Sequence, residues 1–135
     1  MTLKTGAIVL ITVVIAVAAF GQTEHGVSAA LIQAFRSGRA NELTRFFPET
    51  GRVRLAIAGV NIAPGDYSSV QAVALLQQAF DSFETVSFAL DGRQDALRGD
   101  WKVKNRNTGE QKSINLYIAI QTQQNTSVIM SVRGN

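Results

Sequence analysis

Apolar positions recur every three or four residues in the first half of the chain and every second residue in the last third, which predicts helices followed by strands. Val27, Ala30, Leu31, Ala34 and Phe35 share one helical face. Ser37-Gly38 ends that helix, since glycine takes the left-handed conformation that closes a helix. A short second helix is expected from Asn41, a good N-cap, through Leu43, Phe46 and Phe47 to the stop at Pro48. Arg52–Ala58 alternates, with Val53, Leu55 and Ile57 on one face, and reads as a strand. Gly59 breaks it, and Val60–Ile62 is the candidate returning strand before a turn at Pro64-Gly65-Asp66. Ser68 and Gln71 have the spacing of a capping box, in which hydroxyl and amide each satisfy a backbone donor left over at a helix start. The helix they open runs to about Phe83. Its stripe of Val73, Leu76, Phe80 and Phe83, widened by Ala72, Leu75 and Ala79, is broad enough to lie on a sheet.

Beyond it the period is two. Val86, Phe88 and Leu90 alternate with Ser87, Ala89 and Asp91, and Asp91-Gly92 reads as a turn. Leu97 to Asn105 forms a strand ending in a hairpin loop at Asn107-Thr108-Gly109. Ile114, Leu116, Ile118 and Ile120 give the clearest alternation in the chain, and Gln123-Gln124-Asn125 turns into a last strand carrying Val128, Met130 and Val132. Meandering strands after a long helix predict an α+β fold with helices packed on a curved, mainly antiparallel sheet. Phe80 and Leu116 are the expected junction of helix stripe and strongest strand.

The first residues follow a different logic. Lys4 is followed by Gly6–Ala19, GAIVLITVVIAVAA, uncharged and with Thr12 its one polar side chain. Ala19-Phe20-Gly21 then places small residues at −3 and −1 of a cut before Gln22, and Ala16-Val17-Ala18 offers a second cut. A charged start, a short apolar run and a small-residue exit are the parts of a secretory signal. The run is shorter than the roughly 20 residues of a stable membrane-spanning helix, which disfavours an uncleaved anchor. Residues 1–21 therefore read as a signal peptide and 22–135 as a single domain, exported to the periplasm or beyond, with no stable membrane span after cleavage.

Composition narrows the chemistry. At 46% hydrophobic and 17% charged the chain is too apolar to be disordered. The net charge is +3, one unit of it from Lys4, too small for the concentrated basic face that nucleic acid requires. There is no cysteine, which removes disulfides, thiolate nucleophiles and zinc–thiolate sites; about 110 residues bury a core without such staples. His25 is the one histidine and lies beside the expected cleavage site, where termini are loosely held. A Ser-His-Asp triad and a His-rich metal site are both disfavoured, and no metal or cofactor is expected. Asn125-Thr126-Ser127 matches a glycosylation sequon but is first of all turn chemistry.

The segment AFRSGRANELTRFFPETGRVRLAIAG, with YSSVQAVALLQQAFDSF and the all-strand end, resembles a family of small exported bacterial proteins of unknown function. Their domain is similar to the cone-shaped nuclear-transport-factor-2-like superfamily. That resemblance implies a curved sheet wrapped around the long helix, able to enclose a pocket with Phe80, Phe88 and Trp101 as candidate lining. It is silent on function, because superfamily members range from isomerases, dehydratases and hydrolases to proteins without catalysis.

Two classes of function follow. The first is a non-enzymatic ligand-binding or interaction domain that works through a small apolar pocket or the sheet face, the sheet face being also the candidate homodimer surface. The alternative is a cone-pocket enzyme using Asp91 or Asp100 as acid or base, with Tyr67 and Tyr117 as donors, as the resemblance implies. Alternation argues against the second: if Trp101 points at the helix, Asp100 points to solvent, and Tyr117 lies opposite Leu116 and Ile118. A separate feature is basic: Lys102, Lys104 and Arg106 alternate along one strand, with Lys112 across the hairpin. Such a face suits an anionic glycan, a lipid headgroup or an acidic partner, and equally serves as a solvated edge that resists aggregation.

Overall fold

The computed structural model describes residues 26–93, 95–123 and 125–135. The expected signal peptide, its cleavage sites and His25 lie outside the described residues.

The chain runs α1 (Gly26–Ser37), a 3-10 helix (Ala40–Phe46), β1 (Val53–Ile57), a 3-10 turn (Ala58–Val60), β2 (Ile62–Tyr67), α2 (Ser69–Ser82), β3 (Phe83–Gly92), β4 (Ala96–Asn105), β5 (Gln111–Gln123) and β6 (Thr126–Gly134). The six strands form one sheet in the order β2-β1-β6-β5-β4-β3. Neighbours are antiparallel except β1 and β6, which pair parallel. This is the expected α+β layering.

The apolar stripe of α1 is buried as the periodicity predicts, at Val27, Ala30, Leu31, Ala34 and Phe35, and Gly38 closes the helix at φ 72°. The capping box at α2 is formed, with Ser68 Oγ accepting from Gln71 N at 3.2 Å and Ser68 N donating to Gln71 Oε1 at 3.0 Å. Between these helices Gln77 acts as a clamp: its Oε1 accepts from Ala40 N at 3.0 Å and its Nε2 donates to Gly38 O at 3.0 Å.

Several boundaries differ from the sequence reading. The short second helix is 3-10 and starts at Ala40; Gln77 satisfies its first donor, and Asn41 does not cap it. Pro64-Gly65-Asp66 is not a turn but the middle of β2, paired through Gly65↔Leu55 and Asp66↔Arg54. Proline is tolerated there because β2 is an edge strand, where its missing N–H breaks no ladder. The reversal instead lies in the 3-10 turn and at Asn61, in the left-handed region at φ 65°. Phe83 begins β3 directly from the end of α2.

Two β-bulges shift the alternation. One extra residue in a strand sends the following side chains to the other face. In β3 the register jumps between Thr85↔Val103 and Ser87↔Lys102, so Val86 bulges outward and is 51% exposed, contrary to its expected place in the core. In β6 the jump between Ala119↔Ser131 and Ile120↔Ile129 makes Met130 the extra residue. Ile129 and Val132 are then buried, while Val128 is only half-buried.

Helices and the inner sheet face enclose one core, which holds Leu55, Ile57, Leu76, Phe80, Ile114, Leu116, Ile118 and Val132 among others. Helix α1 also covers the exposed edge of β3: Arg36 Nε and Nη2 donate to Phe88 O at 3.3 and 3.0 Å, and Thr85 Oγ1 donates to Phe35 O at 2.7 Å. Pairing of this kind prevents an edge strand from recruiting another chain. Among the described residues, no helix is long and apolar enough to cross a membrane.

Candidate functional site

The inner face of the sheet was the expected place for a pocket. Phe80, Phe88 and Trp101 do converge there, but around a fourth ring, Phe35 of α1. Phe35 stacks on Phe88 with centroids 4.5 Å apart and planes 13° from parallel, and meets Phe80 and Trp101 edge-on at 5.2 and 5.0 Å. Phe80 and Trp101 meet edge-on at 5.9 Å. These are favourable aromatic geometries, and all four rings are buried. The indole N–H is also satisfied, donating to Thr85 Oγ1 at 3.0 Å. The three candidate pocket residues thus fill the cone and pack on one another.

Packing is tight elsewhere on this face. A Cβ on Gly134 would stand 2.9 Å from Ile114 Cγ2 and Leu116 Cδ2, and one on Gly99 3.3 Å from Leu116 Cβ and Phe88 Cε1. No buried side-chain N or O among the described residues lacks a hydrogen-bond partner, so no unsatisfied polar group waits there for a ligand.

The carboxylates considered for acid–base chemistry are elsewhere. Asp100 is exposed on the outer face, opposite in direction to Trp101. Asp91 is exposed at the end of β3, where its Oδ1 accepts from Gly92 N at 2.7 Å. Gly92 stands at φ 126°, and a Cβ there would meet Ala96 O at 2.5 Å, so the Asp-Gly pair is needed by the turn itself. Tyr67 donates its hydroxyl to Ala63 O at 2.7 Å within β2, and Tyr117 is 42% exposed on the outer face. The structure brings neither carboxylate into the cone. No three His, Cys, Asp or Glu side chains among the described residues are grouped to hold a metal ion.

The basic constellation divides. Lys102 and Lys104 share the outer face of β4, opposite Trp101 and Val103. Glu84 of β3 stands directly across from Lys104. Arg106 lies past the end of β4; its backbone N–H donates to Ser82 O at 3.0 Å and its Nη2 to Phe80 O at 3.3 Å. It therefore holds the carbonyl end of α2, where a cation is electrostatically favoured. Lys112 pairs with Val103 and so turns to the inner side, where Nζ donates to Gly59 O at 3.1 Å and lies 5.5 Å from the Phe83 ring centroid. The four-residue basic face of the sequence reading is corrected to two lysines, because the hairpin register puts Lys112 on the opposite side.

Concavities open on the surface of the described residues. The first, about 720 Å³, is a broad trough between α1 and the 3-10 helix, bordered by Ala29, Gln33, Glu42 and Arg45. The second, about 400 Å³, is a groove on strands β3, β4 and β5 whose walls include Ala89, Asp91, Arg98, Asp100, Asn115 and Tyr117. The Arg98 guanidinium lies 5.8 Å from the Tyr117 ring centroid. Among the described residues, the Arg98, Asp100, Asn115 and Tyr117 side chains make no hydrogen bond within the protein. Sequence reading had used Asp91, Asp100 and Tyr117 separately; it missed Arg98 and Asn115, and only strand register joins the five.

No protein-family profile matches the sequence, and comparison with characterised proteins finds no sequence relative. Solved structures do resemble it. A DUF4783 family protein from Bacteroides uniformis superposes with a TM-score of 0.62 at 20% identity, covering 81% of this chain and 95% of its own. A DUF4783 family protein from Bacteroides ovatus gives 0.60 at 19% identity, covering 78% and 91%. An NTF2-like design, Rd1NTF2_04 with long sheet, gives 0.60 at 14% identity, covering 82% and 98%. At these identities the likeness concerns architecture. The chain has the nuclear-transport-factor-2-like α+β fold, shared with domains of unknown function.

Proposed function

We propose that this is an exported, non-catalytic binding domain that works through the outer face of its sheet, with the cone serving as a packed scaffold. The observation that carries this reading is the asymmetry of the sheet. Its inner face ends in the Phe35–Phe80–Phe88–Trp101 cluster, with every ring buried. Its outer face carries an open groove walled by charged, amide and phenol groups, of which Asp91 alone hydrogen-bonds within the protein among the described residues. Binding sites favour concave surfaces with a few convergent polar groups, and acid–base catalysis needs a carboxylate held beside its substrate in a water-poor site. The exposed Asp91 and Asp100 meet the first description and not the second. Export is proposed from the order of charge, apolar run and small residues in 1–21.

Site-specific photo-crosslinking tests the face. A crosslinker replacing Tyr117 in producing cells should give discrete adducts, and one replacing Val70, 80% exposed on α2, should not. Adducts from Val70 alone, or from neither position, would refute the sheet face as the working surface. Mass spectrometry of the exported product should find it beginning near Gln22; an intact Met1–Phe20 segment would refute cleavage.

A further inference from the structure

The groove on β3–β5 is built on a regular grid. Hydrogen-bonded register places Ala89, Asp100 and Asn115 in one row and Asp91, Arg98 and Tyr117 in the next. Strand geometry makes this about 10 Å across three strands and about 7 Å between rows, the footprint of a single sugar ring. Ala89 is the one short side chain of the six, so a depression opens beside Asp100, Asp91 and Asn115.

The chemistry of the grid excludes most ligand classes. Two carboxylates, Asp91 and Asp100, oppose a phosphate, sulfate or polyanion. Arg98 within the grid, with Lys102 and Arg133 next to it in the register, opposes a cation. The polar walls disfavour a purely apolar ligand, since covering those groups without hydrogen bonds is costly. What remains is a neutral molecule rich in paired donors and acceptors, with one less polar face. Carboxylate, guanidinium and amide groups are planar and reach two neighbouring hydroxyls at once. The Arg98 guanidinium lies over the Tyr117 ring at 5.8 Å from its centroid, and the part of the ring that stays exposed offers an aromatic surface for the C–H face of a pyranose.

We infer that the outer-face groove is a neutral-saccharide site, with Tyr117 as stacking platform and Asp91, Arg98, Asp100 and Asn115 as hydroxyl partners. The inference rests on the outer face being the working surface, and it names the ligand class of that surface. The bond set is non-covalent and makes no demand on cone chemistry.

The test is a chemical-shift titration of the 15N-labelled protein, as recovered from producing cells, with maltotriose, cellotriose and tri-N-acetylchitotriose. At least one should move the amides of residues 89–91, 98–100 and 115–117, with an affinity unchanged by about 0.5 M salt, since a neutral ligand has no charge to screen. Tyr117→Ala should weaken binding about tenfold, the equivalent of one stacking contact. Ala89→Trp should block it by filling the depression while every hydroxyl partner stays in place. Both variants should melt like the parent protein. If none of the three sugars moves these amides, the saccharide inference is overturned, and the crosslinking result alone decides the sheet-face reading. If dextran sulfate instead moves Lys102 and Lys104 and salt abolishes the effect, the face binds anions and the saccharide inference falls. Shifts confined to Phe88 and Trp101 would overturn both readings together.

Discussion

Strand β4 presents two different surfaces from one stretch of ten residues. Leu97, Gly99, Trp101 and Val103 are buried, whereas Arg98, Asp100, Lys102 and Lys104 are exposed. The first set is closely packed: Trp101 touches rings from α1 and α2, its N–H has a partner, and a methyl on Gly99 would press on Leu116 and Phe88 at 3.3 Å. The second set is held in position by the same backbone but has few partners of its own. The difference separates two tasks that one fold can combine. Where a cone is hollow, the inner face can serve both stability and binding; where aromatic rings fill it, the inner face serves stability, and the proposed binding falls to the outer one.

That division can be attacked from the side where the effect is largest. Trp101→Ala removes the ring at the centre of the cluster and should destabilise the protein by about 3–5 kcal/mol, as large-to-small changes at buried aromatics do, read from the midpoint of denaturant unfolding. A loss near zero would mean the cone has room to spare. Gly134→Ala adds a single methyl against Ile57, Ile114 and Leu116, at 2.9–3.0 Å, and should cost about 1–3 kcal/mol through overpacking. A neutral result by the same measurement would show that the inner face relaxes easily. Lys102→Glu with Lys104→Glu should change the melt least, because exposed charges contribute little to stability. The remaining cost comes from Glu84, left facing a like charge across the ladder. If the double variant unfolds instead, the lysines are not on the outside and the assignment of faces is inverted.

Periodicity made much of this legible. The α1 stripe, the capping box at Ser68, the alternation of β5 and the opposed directions of Asp100 and Trp101 all follow from spacing alone. What escaped were features set by tertiary pairing. Val86 and Met130 occupy bulges, which depend on how two strands meet and leave no mark in either strand's own pattern. Pro64 reads as a turn residue until its strand is known to be an edge. Lys112 changed face for the same reason, because only hairpin register fixes its partner as Val103. The groove was legible as residue types but not as a site. Asp91, Arg98 and Tyr117 are separated along the chain and become neighbours solely through the β3–β4–β5 ladder. The filling of the cone depended likewise on Phe35, a residue visible as helix core but not as the ring between Phe88 and Trp101.

Trp101 is the one tryptophan of the chain, so its fluorescence reports on the cone without labelling. Acrylamide quenching of Trp101 in the presence of graded fatty acids and aromatic ligands shows whether this cone is packed. The packed cone predicts a blue-shifted emission that acrylamide scarcely quenches and that none of these ligands alters. A red-shifted, readily quenched indole, or an emission that moves in saturable fashion with an apolar ligand, would show an accessible cavity at Phe35, Phe80 and Phe88 and overturn the packed cone.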